Sequence, residues 1–138
     1  MSVTTAGDAG SAGDGVVTKM SPRSVAETVR VLCDTVVARG MTVFAVIDHS
    51  GEAREHGLEL RDTMVVIFGS PVAGTPVMAA APLSALDLPL KALVWADEGQ
   101  TKVTYTDPVA LAARYQLSDD LAARLAGIGP LTDAVTAG

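Results

Sequence analysis

Leu90 to Thr106 reads LKALVWADEGQTKVTYT. Two runs rich in β-branched and aromatic residues flank a polar, glycine-bearing centre, Asp97-Glu98-Gly99-Gln100. That pattern is a hairpin signature. In the second run Val103 and Tyr105 alternate with Lys102, Thr104 and Thr106, which turns the first pair inward and the other three outward. In the first run Lys91, Leu93 and Trp95 share one face. Strands joined by so short a loop run antiparallel, and this direction constrains the rest of the chain.

Upstream, Thr42–Ile47 (TVFAVI) and Thr63–Phe68 (TMVVIF) are strands that are apolar on both faces. Simple alternation places Val43, Ala45 and Ile47 on the inward side of the first, with Phe44 and Val46 opposite. Val16–Met20 reads as the first strand. Ser21-Pro22 reads as an N-cap and first helical position, opening a helix that ends at Gly40. Its apolar stripe is Val25, Val29, Leu32, Cys33 and Val36. Glu52–His56 is a charged, exposed turn. Thr75-Pro76 reads as a second helix start over Val77–Ala81, stopped by Pro82. Asp107-Pro108 caps a helix to about Tyr115. Ser118 caps another over Asp119–Ala126, broken by Gly127, Gly129 and Pro130. The order β-α-β-β-β-β-α predicts an α+β fold of two layers: a mostly antiparallel sheet of about five strands with helices on one face.

The 138 residues fit one domain over residues 16–138. Residues 1–15, MSVTTAGDAGSAGDG, are too poor in apolar bulk to offset their ordering entropy and are expected to form a disordered tail. Hydrophobic residues make up 49% and charged residues 19% of the chain, so its Val, Leu and Ile must be hidden in a core or shared with a partner. One helix layer covers one face of a sheet. Two doubly apolar strands therefore predict a homodimer, across the open face or an edge near Lys91, Leu93 and Trp95. The net charge of −6 and scattered Lys and Arg argue against nucleic acid as a partner, and against an anionic membrane surface. There is no secretory leader pattern and no apolar run of about 18 residues, so a cytoplasmic, non-membrane protein is expected. Cys33 is the single cysteine, which leaves no internal disulfide. Two His and one Cys make no metal set, and nothing in the composition names a cofactor.

Five motifs then coincide: VFAVIDH (Val43–His49), VVIFGSP (Val65–Pro71), GTPVM (Gly74–Met78), LDLPLKALVW (Leu86–Trp95) and YTDP (Tyr105–Pro108). In order and spacing they resemble the bacterial and archaeal domain of unknown function 302 family, over residues 16–118. The resemblance implies a β-α-β(4)-α core of the TATA-binding-protein-like class and a tendency to homodimerise. It implies no activity. The family often carries Asn where this chain has Ser70, which alters any side-chain recognition there.

The candidate site residues are His49, Gly69, Ser70, Pro71 and Tyr105. Asp48-His49 closes a strand, so His49 reads either as an acid–base or as a turn residue. Gly69-Ser70-Pro71 follows a buried strand and reads either as a tight exit or as a place where backbone N–H groups approach an anion. Tyr105 points inward, as core filler or as a hydroxyl lining a pocket. A Ser70–His49–Asp48 triad is disfavoured, because no nucleophile elbow is present and adjacent strand residues diverge. Cys33 lies on the apolar stripe and reads as an inert core thiol. If the two apolar strands ran parallel, His49 and Ser70 would converge on one opening. The leading expectation is a site at strand ends for a small polar or anionic molecule. The alternatives are an interaction module without pocket chemistry, and an enzyme using His49.

Overall fold

Glu98 and Gly99 both hold positive φ, 52° and 82°. That is the two-residue turn whose twist suits a hairpin, and Asp97 pairs with Gln100 across it. The computed structural model describes residues 10–11 and 15–138. Its elements are β1 (Gly10–Ser11), β2 (Val16–Ser21), α1 (Val25–Ala38), β3 (Thr42–Asp48), α2 (His49–Glu55), β4 (Thr63–Gly69) and α3 (Pro71–Ala80). A 3-10 turn (Pro82–Leu86) leads to β5 (Leu90–Asp97), β6 (Gln100–Thr106), α4 (Pro108–Arg114), α5 (Asp119–Ala123) and α6 (Ile128–Thr136). The sheet order is β1-β2-β6-β5-β4-β3, antiparallel throughout. This is the expected two-layer α+β fold. Residues 1–9 and 12–14 of the expected tail lie outside the described residues. Gly10 and Ser11 pair with Thr18 and Val17.

Helix α1 carries β2 to β3 across the inner face of the sheet, packing on β3, β4 and β5. Its buried residues are Val25, Thr28, Val29, Leu32 and Val36. Val25, Val29, Leu32 and Val36 join Val17, Val66, Phe68, Ala92, Val94, Val103 and Tyr105 in one core. The helix starts later than expected. Ser24 is the N-cap, its hydroxyl accepting from the Glu27 N–H at 3.1 Å. Ser21 stays in the sheet, buried, with its hydroxyl 2.7 Å from that of Thr28. Gly40 follows the Arg39 C-cap with φ 79°, the left-handed stop that glycine takes without strain.

The helix from Asp119 ends at Ala123, short of the expected Ala126, and the segment Gly127-Gly129-Pro130 after it opens α6. Pro130 sits in the first turn, where its missing N–H leaves no helical bond unmade. Ile128, Leu131, Thr132 and Val135 form the buried stripe of this helix and enter the main core. Lys19 reaches from β2 to bind the Gly129 carbonyl at 2.9 Å, Thr132 Oγ1 at 2.7 Å and the Asp133 carboxylate at 2.8 Å. Arg23 donates to the Val135 carbonyl at 2.7 Å. Two basic side chains thus tie both ends of α6 to β2 and its exit.

A register shift between Val43 and Ala45 corrects the expected facing of β3. Val43 lies opposite Phe68 and Val46 opposite Val66, both core residues. Ala45 and Ile47 lie opposite Ile67 and Val65 on the other face. An extra residue in one strand exchanges its faces, which strict alternation cannot foresee. On that outer face Thr18 Oγ1 meets Thr104 Oγ1 at 2.9 Å, and Trp95 Nε1 donates to Thr104 at 3.0 Å. Lys102 is outward as expected, yet only 6% exposed. Its ammonium lies 5.6 Å from the Trp95 ring centroid and 2.9 Å from the Asp97 carboxylate.

Leu131, at 0% exposed, tests whether the last helix belongs to the core. Leu131→Ala is expected to lower the unfolding free energy by about 2–5 kcal/mol, read by urea denaturation. A change below about 0.5 kcal/mol would mean that α6 is dispensable.

Candidate functional site

Asp48 and Ser70 end strands that run in opposite directions, since Thr42 pairs with Gly69 and Asp48 with Met64. His49 therefore lies at one end of the sheet, and Gly69-Ser70-Pro71 at the other. The expected convergence of imidazole and hydroxyl does not occur, and a Ser70–His49 relay is excluded with it. His49 is exposed as the first residue of α2. Asp48 is the N-cap of that helix, its carboxylate accepting from the Gly51 N–H and the Ser50 hydroxyl, both at 2.9 Å. Tyr105 is 5% exposed and belongs to the core beside α6, with Lys19 5.2 Å over its ring. It packs in the main core and is not among the residues that line the cavity beside Ser70.

Gly69, Ser70 and Pro71 do line a cavity. Phe68 and Leu90 pair as the last inward residues of β4 and β5, and beyond Phe68 the chain offers only a glycine. Ser70 then takes an extended conformation, and its hydroxyl accepts from the Ala73 N–H at 3.2 Å. Pro71 follows at the first helical position, so α3 starts here and not at the expected Thr75-Pro76. Helix α3 thereby leaves the end of β4 and stands over the gap. The segment Arg124–Leu131, at the junction of α5 and α6, closes the other side. The space between measures about 330 Å³.

Its floor is Phe68, Leu125, Ile128 and Leu131, each under 5% exposed. Met41, Met78, Leu88, Pro89 and Leu90 form the walls. Exposed Phe44, Pro71, Thr75 and Arg124 rim the mouth. Among the described lining residues the side-chain polar groups are the Ser70 and Thr75 hydroxyls and the Arg124 guanidinium. Of the residues singled out in the sequence, Gly69, Ser70 and Pro71 line this cavity; Phe44, Arg124, Leu125, Ile128 and Leu131 also line it and were not singled out. The i, i+3, i+7 spacing of Ile128, Leu131 and Val135 was a signal for the last of these, masked by Gly129 and Pro130.

Cys33 packs partly buried against the core, outside this cavity. Burial pushes its thiol up from the ordinary value, and neighbouring Asp34 adds to the shift, which disfavours the thiolate needed for nucleophilic chemistry.

Residues 17–129 match the family model described as "Domain of unknown function DUF302". Over 123 residues the chain is 42% identical to "Fluoride-specific ion channel FluC 1" of Brucella suis biovar 1 (strain 1330), covering 86% of this chain and 48% of that protein. It is equally 42% identical over 123 residues to "Fluoride-specific ion channel FluC 2" of Brucella melitensis biotype 1, covering 86% of this chain and 46% of that protein. The chain thus spans about half the length of the curated relatives it matches. The crystal structure of an uncharacterized conserved DUF302 protein from Bacillus stearothermophilus superposes with a TM-score of 0.75 at 20% identity, covering 88% of this chain and 95% of that one. That likeness establishes the fold.

The Gly51 N–H and Ser50 hydroxyl hold the Asp48 carboxyl below its ordinary value. Such a group contributes stability above its unfolded pKa of about 3.9, and the contribution is lost as pH falls through the lower folded value. Asp48→Ala is expected to lower the urea midpoint at pH 7, with the deficit narrowing toward pH 2, whereas His49→Ala leaves the midpoint unchanged. An Asp48→Ala deficit that persists undiminished at pH 2 would contradict the capping role.

Proposed function

The chain belongs to the DUF302 family, and we propose that it is a ligand-binding domain that works as a homodimer. The carrying observation is the cavity of about 330 Å³ beside Gly69-Ser70-Pro71. Protein interiors are close-packed, and a hollow of this size walled by Phe, Met, Leu and Ile leaves apolar surface that a small molecule covers better than water does. Binding is favoured over catalysis by the lining itself. Among its described residues there is no His, Asp, Glu, Lys, Tyr or Cys to serve as acid or base, and the Ser70 hydroxyl is engaged in capping α3.

The homodimer reading rests on the outer face. The core cluster takes Val17, Val66, Val94 and Val103 from the inner face, while Val65, Ile67 and Leu93 belong to neither buried cluster. Ile47 on the same face is 37% exposed. Val65 pairs with both Ile47 and Leu93, which makes one apolar band across β3, β4 and β5. The hydrogen-bonded stripe of Thr18, Thr104 and Trp95 lies beside it toward β2 and gives the band a polar border. A second copy of the chain, meeting it band to band, suits a two-fold contact.

The relatives' names favour a further element. Among the described residues no helix is long and apolar enough to cross a membrane, and the chain spans about half the length of those channels. In such proteins the matching portion would serve as a ligand-binding domain joined to a conducting one. This chain reconstituted alone in liposomes is expected to give fluoride flux no greater than empty vesicles, and flux above that level would refute the division.

Two measurements test the main reading. Light scattering at micromolar concentration is expected to give about twice the 14.1 kDa monomer mass, with Leu93→Lys shifting it to the monomer. A wild-type monomer would sink the dimer. Saturation-transfer NMR with octan-1-ol is expected to show transfer from the wild type and none from Thr75→Trp, which blocks the mouth at an exposed position. No transfer from the wild type would overturn the cavity as a site.

A further inference from the structure

Resting on the cavity as a binding site, we infer that its ligand is a medium-length apolar molecule ending in a carboxylate, with the head received by Arg124. The size follows from the volume. On the scale where a cavity of about 150 Å³ takes the six carbons of benzene, one of about 330 Å³ holds on the order of ten heavy atoms. That is the size of an eight-carbon acid.

The charge of the head follows from the rim. Arg124 is the one ionisable side chain among the described lining residues, and it is exposed at the mouth. The ion pairs of the described residues involve Lys19, Arg30, Arg61, Lys102 and Arg114. Arg124 takes part in none of them, in a chain whose net charge is −6. An unpaired guanidinium beside an apolar hollow, with no carboxylate in the lining, complements an anion and repels a cation. Its planar fork matches the two oxygens of a carboxylate. The Thr75 hydroxyl on the same rim adds a donor. An alkyl tail directed at Phe68, Leu125 and Ile128 would then be buried on the floor while the head stays at the water boundary, the arrangement that avoids desolvating the charge.

The test is isothermal titration calorimetry of the full chain with octanoate, octan-1-ol and octyltrimethylammonium. It uses the wild type, Arg124→Gln and Thr75→Trp, each verified as folded by circular dichroism. Octanoate is expected to bind the wild type most tightly. Arg124→Gln is expected to weaken octanoate about tenfold and leave octan-1-ol unchanged, while Thr75→Trp abolishes both. Equal affinity for octanoate and octan-1-ol, or octanoate binding indifferent to Arg124→Gln but blocked by Thr75→Trp, would overturn the anionic head and leave the cavity standing. Binding of none of the three, or binding unaffected by Thr75→Trp, would overturn the cavity itself.

Discussion

The burial of one helical stripe on one sheet face organises this molecule. Val25, Val29, Leu32 and Val36 of α1 meet the inward residues of β3, β4 and β5 in a single core. Because β2 and β3 lie on opposite sides of the sheet, α1 must cross it, and it can shield only the middle. The β2 side needs a second cover, and α6 supplies it through Ile128, Leu131 and Val135. The tie is partly polar. Lys19 gives up most of its water to bond the Gly129 carbonyl, Thr132 and Asp133, and such charge-assisted bonds are stronger and more directional than neutral ones. Removing its partners would leave a half-buried ammonium, so the position of α6 is fixed by more than apolar contact.

The cavity is a geometric consequence of that arrangement. Where α1 ends and α6 begins, the last inward pair, Phe68 and Leu90, is followed by Gly69 on one strand and preceded by Pro89 on the other. Neither fills space above the sheet end. Helix α3, aimed by the Ser70 cap and Pro71, passes over the gap without closing it. The same features that end a strand and start a helix thus also leave a hollow, and Arg124 lies at its rim because α5 must turn into α6 there. On the opposite face Trp95 bonds Thr104 and lies beside Lys102, and Val65, Ile67 and Leu93 form an apolar band, with Lys91 opposite Ile67.

Local chemistry was legible wherever one residue type decides a conformation. Glu98-Gly99 gave the hairpin, Gly40 the end of α1, and Asp107-Pro108 the start of α4. The α1 stripe was readable because its period repeats over several turns. What failed depended on longer range or on ambiguous punctuation. Pro130 ends a helix from the interior and begins one from the first turn, and only the packing of Leu131 and Val135 decides which. The bulge in β3 exchanged the expected faces of Ala45 and Val46. The relation of His49 to Ser70 depended on strand direction, which neither strand encodes alone, so the two residues fell at opposite ends of the sheet. Arg124 carries no local mark at all, since its importance comes from the cavity it borders.

Small molecules are expected to bind in the cavity at the Gly69 end of the sheet, and not at the His49 end. Methyl NMR of isotope-labelled protein titrated with octanoate addresses this directly. Shift changes are predicted at Met78, Leu88, Leu125, Ile128 and Leu131, with Ile47 and Val65 silent. Changes confined to Ile47, Val65 and Leu93, or to the α2 end of the sheet, would contradict it.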